Sequence, residues 1–430
     1  MLDRIAEWSQ RIAKCTHTLV AAVCTYSGLV WLRHRLRRPR ILVLAYHRVT
    51  PDVEIGSCAF PEMHVSTTHF EKQLTALRRF YRVVSMSELQ RILASAEPLR
   101  EHLAAVTFDG GYQDNFEHAL PILERQGVSA TFFLSTGFVD GRRSPWFDRL
   151  ADVMQAWDDD PRARRALRSS MPARLAGTFA DAKPRGLRLR RAATFLDSLP
   201  IHERRSIMKR LMPRLAALER PGARALAWSE VQQMAERGME FGALGVTHTT
   251  FTRLSVAEAR REMHHSMHRV AQQVGRTVTA FAYPNGIADD EVVYLAEESG
   301  ARVAFTLEER ENQSHDHPLR LGRRTVHQGT SRDVFGRFSS ARFWCEITGI
   351  FDALSRRRSS TRHAFEPDES NAPTAVLEWT GPQDSIRQRS SAATLGSASA
   401  AALHAPRPGV AALSLQPPAD APAPSASTSG

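Results

Sequence analysis

A rhythm constrains this chain more than any single residue does. Between Ile41 and Val326, short apolar runs that end in polar residues alternate with stretches of helical spacing. Ile41 to His47 (ILVLAYH) reads as a strand, and Phe70 to Phe80 as a helix through Phe70, Leu74 and Leu77. Arg82 to Val84 and Ser85 to Leu93 repeat the unit, with Ser87 as the expected helix cap. Ala104 to Asp109 is the expected central strand, and Asn115 to Gln126 the helix after it, closed by Gly127. Strands are then expected at Ser129 to Thr136, Met239 to Leu244, Val278 to Pro284, Arg302 to Leu307 and Leu319 to Val326. Helices opened by Ser229 with Gln232, by Ser255 with Glu258 and at Glu291 separate the later ones. Parallel strands need crossover helices and are buried on both faces. Seven or eight of them in this order predict an α/β fold, a distorted parallel (β/α) barrel, with an open doubly wound sheet as the alternative.

The rhythm breaks twice. From about 140 to 227 the sequence is arginine-dense and helical in pattern without an apolar strand, which predicts a basic helical insertion within a domain spanning 41–340. From 351 to 430 Ser, Ala, Pro and Arg dominate, and too little apolar surface remains to offset chain entropy, so a disordered tail is predicted. Residues 1–40 form a third region. Thr18 to Leu32 carries no charge, but its span is shorter than the roughly 20 residues a helix needs to cross hydrocarbon. Arg33, Arg35, Arg37, Arg38 and Arg40 follow it, whereas a secretory signal carries its positive charge first. The readings are a marginal membrane anchor that keeps the main domain cytoplasmic at the inner face, an interfacial helix on anionic headgroups, or a helix packed on the domain.

The net charge of +11 points to acidic partners. No base-stacking aromatic pattern accompanies the arginines of the insertion, so nucleic acid ranks below a glycan or a membrane surface. The four cysteines, Cys15, Cys24, Cys58 and Cys345, have neither a C-x-x-C spacing nor the density of a disulfide scaffold.

Four stretches fall at expected strand ends: Ala45-Tyr46-His47-Arg48-Val49, Thr107-Phe108-Asp109-Gly110-Gly111-Tyr112, Gly242 to His248, and Phe281-Ala282-Tyr283-Pro284-Asn285-Gly286. In α/β folds ligands bind outside the carboxyl ends of such strands. Together, and in this order, the stretches resemble the polysaccharide deacetylase family, the NodB-homology group of carbohydrate esterases, over about residues 41 to 330. The resemblance implies a hydrolase that removes N-acetyl groups from aminosugar polysaccharides with a divalent, zinc-type metal. It implies Asp109 as general base, His47 beside the site, His248 as a metal ligand, and Tyr283 and Pro284 at the acetyl pocket. Trp146, in a segment similar to that of some relatives, becomes a candidate for stacking on substrate.

The chain departs from the family pattern at two ligand positions. Gly110 stands where the metal-binding carboxylate is expected, and Leu244 where the first histidine of a His-x-x-x-His pair is expected. Glycine has no donor atom and leucine cannot coordinate, so the usual metal site is expected to be impaired. Asp114, His118 and His327 are candidate substitutes. His264, His265 and His268 share a helix and read as a solvated face. The sequence therefore supports an active or residually active deacetylase, or an inactive member that binds glycan or assembles with partners.

Overall fold

Alternation along the strands sets the architecture. In the computed structural model, residues 20–23, 27–95, 97–141, 145–216 and 224–355 are described. The strands are β1 (Ile41–Tyr46), β2 (Arg48–Thr50), β3 (His64–Ser66), β4 (Arg82–Val83), β5 (Leu103–Gly110), β6 (Ala130–Leu134), β7 (Glu240–Ala243), β8 (Ala280–Ala282), β9 (Val303–Phe305) and β10 (Arg324–Thr325). Eight of them form one parallel sheet in the order β10-β1-β5-β6-β7-β8-β9, with β4 also paired to β5, and β2 pairs with β3 alone. β4 occupies the edge of β5 at Leu103 and Ala104, and β6 takes over that edge from Val106.

The sheet curls until its ends meet in one short run. Arg324 and Thr325 pair with Leu44 and Ala45 of β1, while Leu321 bridges to Phe305 of β9. The result is the distorted parallel barrel that the alternation predicts. Successive side chains of a strand point to opposite faces. Ile41, Val43, Ala105, Phe133, Leu244, Phe305 and Leu321 therefore cluster together, separately from Leu42, Leu44, Tyr46, Val106, Phe108 and Phe132, which pack with Phe70, Leu74, Leu120 and Leu123 of the surrounding helices.

Local chemistry sets the helix ends, with small corrections to the expected caps. Ser85, not Ser87, accepts the N–H of Glu88 at the start of Met86–Ser95. Ser255 and Glu258 form a full capping box on Val256–Val274. At Trp228–Glu236 the carboxylate of Glu230 accepts the N–H of Ala227, so the box expected from Ser229 and Gln232 begins earlier and has only its carboxylate half, alanine having no acceptor to return.

The break in the rhythm is a helical layer: Trp146–Asp159, Pro161–Arg168, Ala173–Ala180, Arg185–Ser198 and Ile201–Ala216. It has its own core, including Leu150, Met154, Trp157, Phe179, Leu196 and Leu211. Several of its arginines are paired, among them Arg188, which holds Asp158 at 2.7 Å and donates to the Phe179 carbonyl. Beyond the barrel, Ser340–Ile347 and Ile350–Ser355 pack on the core through Phe343, Trp344, Ile347 and Phe351. Described helices thus continue past 340 to Ser355, with Phe343, Trp344 and Phe351 buried in the main core and the Trp344 indole N–H donating to the Ala76 carbonyl of the helix Thr67–Leu77. The rest of the expected tail, 356–430, lies outside the described residues, as do 1–19 and 24–26 of the amino-terminal region. Among the described residues no helix is long and apolar enough to cross a membrane.

Phe108 stacks on Phe132 at 4.8 Å and meets Tyr46 and Phe70 at 5.4 and 5.7 Å. Truncating so central a ring leaves a cavity. Phe108→Ala is expected to cost about 3–5 kcal/mol of stability, read as a lowered urea midpoint.

Candidate functional site

The inward face of β5 ends in a carboxylate. Leu103, Ala105, Thr107 and Asp109 share that face by alternation, and Asp109 is 4% exposed at its upper end. Its two oxygens accept from Nη1 and Nη2 of Arg323, each at 2.7 Å. Arg323 is fully buried, donates from Nε to the carbonyl of Thr306, and lies over the rings of Phe133 and Phe305. This is the planar fork geometry that arginine offers a carboxylate.

A cleft of 1130 Å³ opens at the carboxyl ends of the strands, and Asp109, His47, His248, His327, Phe147 and Asn285 contribute to its wall. Burial favours the neutral form of three imidazoles there. Burial lowers the pKa of His248 to about 4, against the opposing pull of Asp109, and that of His327 to about 4, with Arg342 adding to the effect. His47 is lowered for the same reason, and its Nδ1 is buried without a hydrogen-bond partner. Its backbone is fixed by Asn115, whose side chain donates to the His47 carbonyl at 3.0 Å.

His248 has φ of 54°, a left-handed conformation that few non-glycine residues adopt. Glu262 supports it from the helix Val256–Val274: its carboxylate accepts the N–H groups of Val246 and Thr247 and the hydroxyl of Thr247 at 3.1, 3.0 and 2.6 Å. At the mouth of the cleft, Asp333 accepts the N–H groups of Phe335 and Arg337 in a tight turn. That turn presents Phe335 81% exposed and Val334 41% exposed.

The corner after Asp109 is filled. Gly110 has φ of 108°, and a Cβ built there would lie 2.6 Å from Cε2 of Tyr112. The Tyr112 ring is 2% exposed, with the Arg48 guanidinium 4.9 Å from its centroid. Arg48 also pairs with Asp114 at 2.6 Å. The Tyr112 hydroxyl lies beside the carboxyl of Asp148 without the geometry of a full hydrogen bond. Burial raises the pKa of Asp148 to about 6, against the opposing effect of Arg48. Leu244 is 1% exposed and packs in the cluster of Phe133, Phe305 and Leu321. A divalent metal needs three convergent donors or more, and among the described residues no group of three His, Cys, Asp or Glu side chains is placed to hold one. The donor set does not fit the metal that the resemblance implies.

The family model for polysaccharide deacetylase matches residues 96–304. This region belongs to the polysaccharide deacetylase family. No curated protein matches the chain. Among solved structures, the Streptococcus pyogenes deacetylase PplD in complex with acetate is 17% identical, aligns over 72% of this chain and 99% of its own, and gives a TM-score of 0.47. IcaB from Ammonifex degensii is 18% identical over 72% and 97% of the two chains, with a TM-score of 0.46.

Of the residues that the deacetylase pattern singles out, the cleft brings together Asp109, His47 and His248. Trp146 is not on its wall: it lies in the core of the helical layer with Arg204 over its ring at 4.7 Å, and its neighbour Phe147 faces the cleft instead. Tyr283 is likewise withdrawn, 1% exposed with its hydroxyl donating to the Leu319 carbonyl, and Pro284 is buried beside it. Asn285 is the residue of that turn that reaches the wall. Asp114 is engaged by Arg48, His327 reaches the cleft, and His264, His265 and His268 lie exposed on their helix. Arg323, Tyr112 and Glu262 escaped the sequence reading. Arg323 left one signal, a charged pair with Arg324 inside an expected final strand.

Removing one partner of a buried ion pair leaves the other charge uncompensated. Arg323→Met is expected to cost about 3–5 kcal/mol by denaturant unfolding. Adding Asp109→Asn should recover more than half of that loss. For Asp148, the folded pKa lies above the ordinary carboxylate value, so the unfolded chain ionises first as pH rises. Its contribution is fully present below about pH 4 and is lost as pH rises through about 6. Asp148→Asn should therefore gain on the wild type in unfolding midpoint between pH 4 and pH 7, and a constant difference would contradict the assignment.

Proposed function

We propose that this protein is a glycan-binding member of the polysaccharide deacetylase family in which metal-dependent hydrolysis has been lost. The Tyr112 ring carries this reading, because it stands 2.6 Å from where a side chain at position 110 would begin. Leu244, packed in the barrel interior, supports it from the opposite ligand position. The cleft supports binding: its imidazoles and Asn285 offer hydrogen bonds to hydroxyl and acetamido groups, and Phe335, exposed on the turn whose Asp333, Val334 and Gly336 line the cleft, offers an apolar face beside it for a pyranose ring. The ligand class is an N-acetylated aminosugar polymer or its precursor.

Calorimetry and acetate release with N-acetylglucosamine oligomers test this together. The expected result is saturable binding without acetate release, whether or not zinc is added, and binding weakened about tenfold or more by Phe335→Ala, the scale of one lost ring contact. Stoichiometric zinc with turnover in the wild type would overturn it. Acetate release that survives chelation and disappears in His47→Gln would replace it with metal-free hydrolysis, a reading that the unpartnered His47 Nδ1 supports.

A further inference from the structure

We propose that the outward face of the helix Leu29–Leu36 is a docking surface for an anionic lipid bilayer, on the side of the barrel opposite the cleft. One side of the helix is fixed to the domain. Val30 is 3% exposed within the main core, and His34 joins the Phe80 carbonyl through Nε2 at 2.8 Å, its ring 3.8 Å from that of His102. Arg37 pairs with Glu311 at 2.7 Å. With 3.6 residues per turn, positions 30, 34 and 37 face inward. That arrangement turns Trp31, Leu32, Arg35 and Leu36 away from the protein.

The outward side chains are large, apolar and uncovered. Trp31, Leu32 and Leu36 are 54%, 45% and 76% exposed, and Val23 is 60% exposed before them. Arg33, Arg35 and Arg38 are exposed beside them, with no ion pair to any described residue, and Arg35 rests over the Trp31 ring at 5.5 Å. Residues 8–51 contain no Asp or Glu, so the charge this segment itself carries is of one sign. A tryptophan and leucines interleaved with arginines match the boundary of a bilayer, where the indole and the aliphatic side chains enter the headgroup layer and the guanidinium groups meet lipid phosphate. The charge alone would also suit nucleic acid, but the leucines would gain nothing from it.

The helix sits under the amino-terminal ends of the strands. His102 immediately precedes β5 and accepts the N–H of Arg40, which immediately precedes β1. A bilayer on this face therefore lies about 20 Å, one strand length, from the level at which the cleft begins. The mouth opens to the aqueous side.

The test uses the full chain in sedimentation with vesicles of phosphatidylcholine, alone and mixed with phosphatidylglycerol. Binding is expected with the anionic mixture and is expected to fall as salt rises. Trp31→Ser with Leu36→Ser should weaken it about tenfold or more, and Arg33→Gln with Arg35→Gln roughly fivefold per arginine. All four positions are exposed, so thermal unfolding midpoints should not move. Equal sedimentation of wild type and the Trp31→Ser, Leu36→Ser variant would overturn the proposal. So would a wild type that does not bind vesicles but forms a dimer that the same variant dissociates, because the face would then be an interface between copies.

Discussion

The Asp109–Arg323 pair joins the middle of the barrel to its closing strand. Arg323 lies between Leu321, which bridges to β9, and Arg324, which pairs with β1. A fork across the barrel from this run to the end of β5 therefore couples closure of the ring to the position of the carboxylate at the floor of the cleft. Taking both charges out of water is costly, and good geometry with added hydrogen bonds is needed to offset it. Thr107 and the Thr306 carbonyl supply such bonds to the same guanidinium. The pair also requires the two aromatic rings beneath it, since Phe133 and Phe305 keep water from the inner side.

Around this floor the site has two sides of different chemistry. On one side His47, Asp109 and His248 reach the cleft wall. The backbone of His248 is kept in a left-handed conformation by the three hydrogen bonds of Glu262 to the preceding loop. On the other side Tyr112, Arg48 and Asp148 form a buried group, with the Arg48 guanidinium 4.9 Å from the Tyr112 ring centroid, and Leu244 extends the apolar interior. Tyr112 and Leu244 are 2% and 1% exposed there.

Much of this was legible in the sequence, and its limits have physical causes. Strand order and barrel class follow from alternation, which is a local property of Ile41 to Tyr46 or Leu103 to Gly110. Asp109 could be placed because alternation fixes the face of a strand's last side chains, and His248 because its stretch follows directly on β7. Trp146 and Tyr283 could not, since motif position says that a residue is near the cleft and not which way it turns. One residue of helical rotation puts Phe147 on the wall and Trp146 in the layer's own core. Arg323 was hidden for another reason: its partner is 214 positions away, and an arginine in a short polar strand looks like a surface residue until the ring is closed.

The crowding at Gly110 also bears on substitution at this corner. Position 110 and the ring of Tyr112 compete for the same space. A side chain entering at 110 meets a buried ring at 2.6 Å and a φ of 108° that glycine alone adopts freely. Tyr112 would have to leave first, and its departure by itself would open a cavity beneath Arg48. A side chain at 110 and the present Tyr112 ring therefore exclude each other unless one of them shifts.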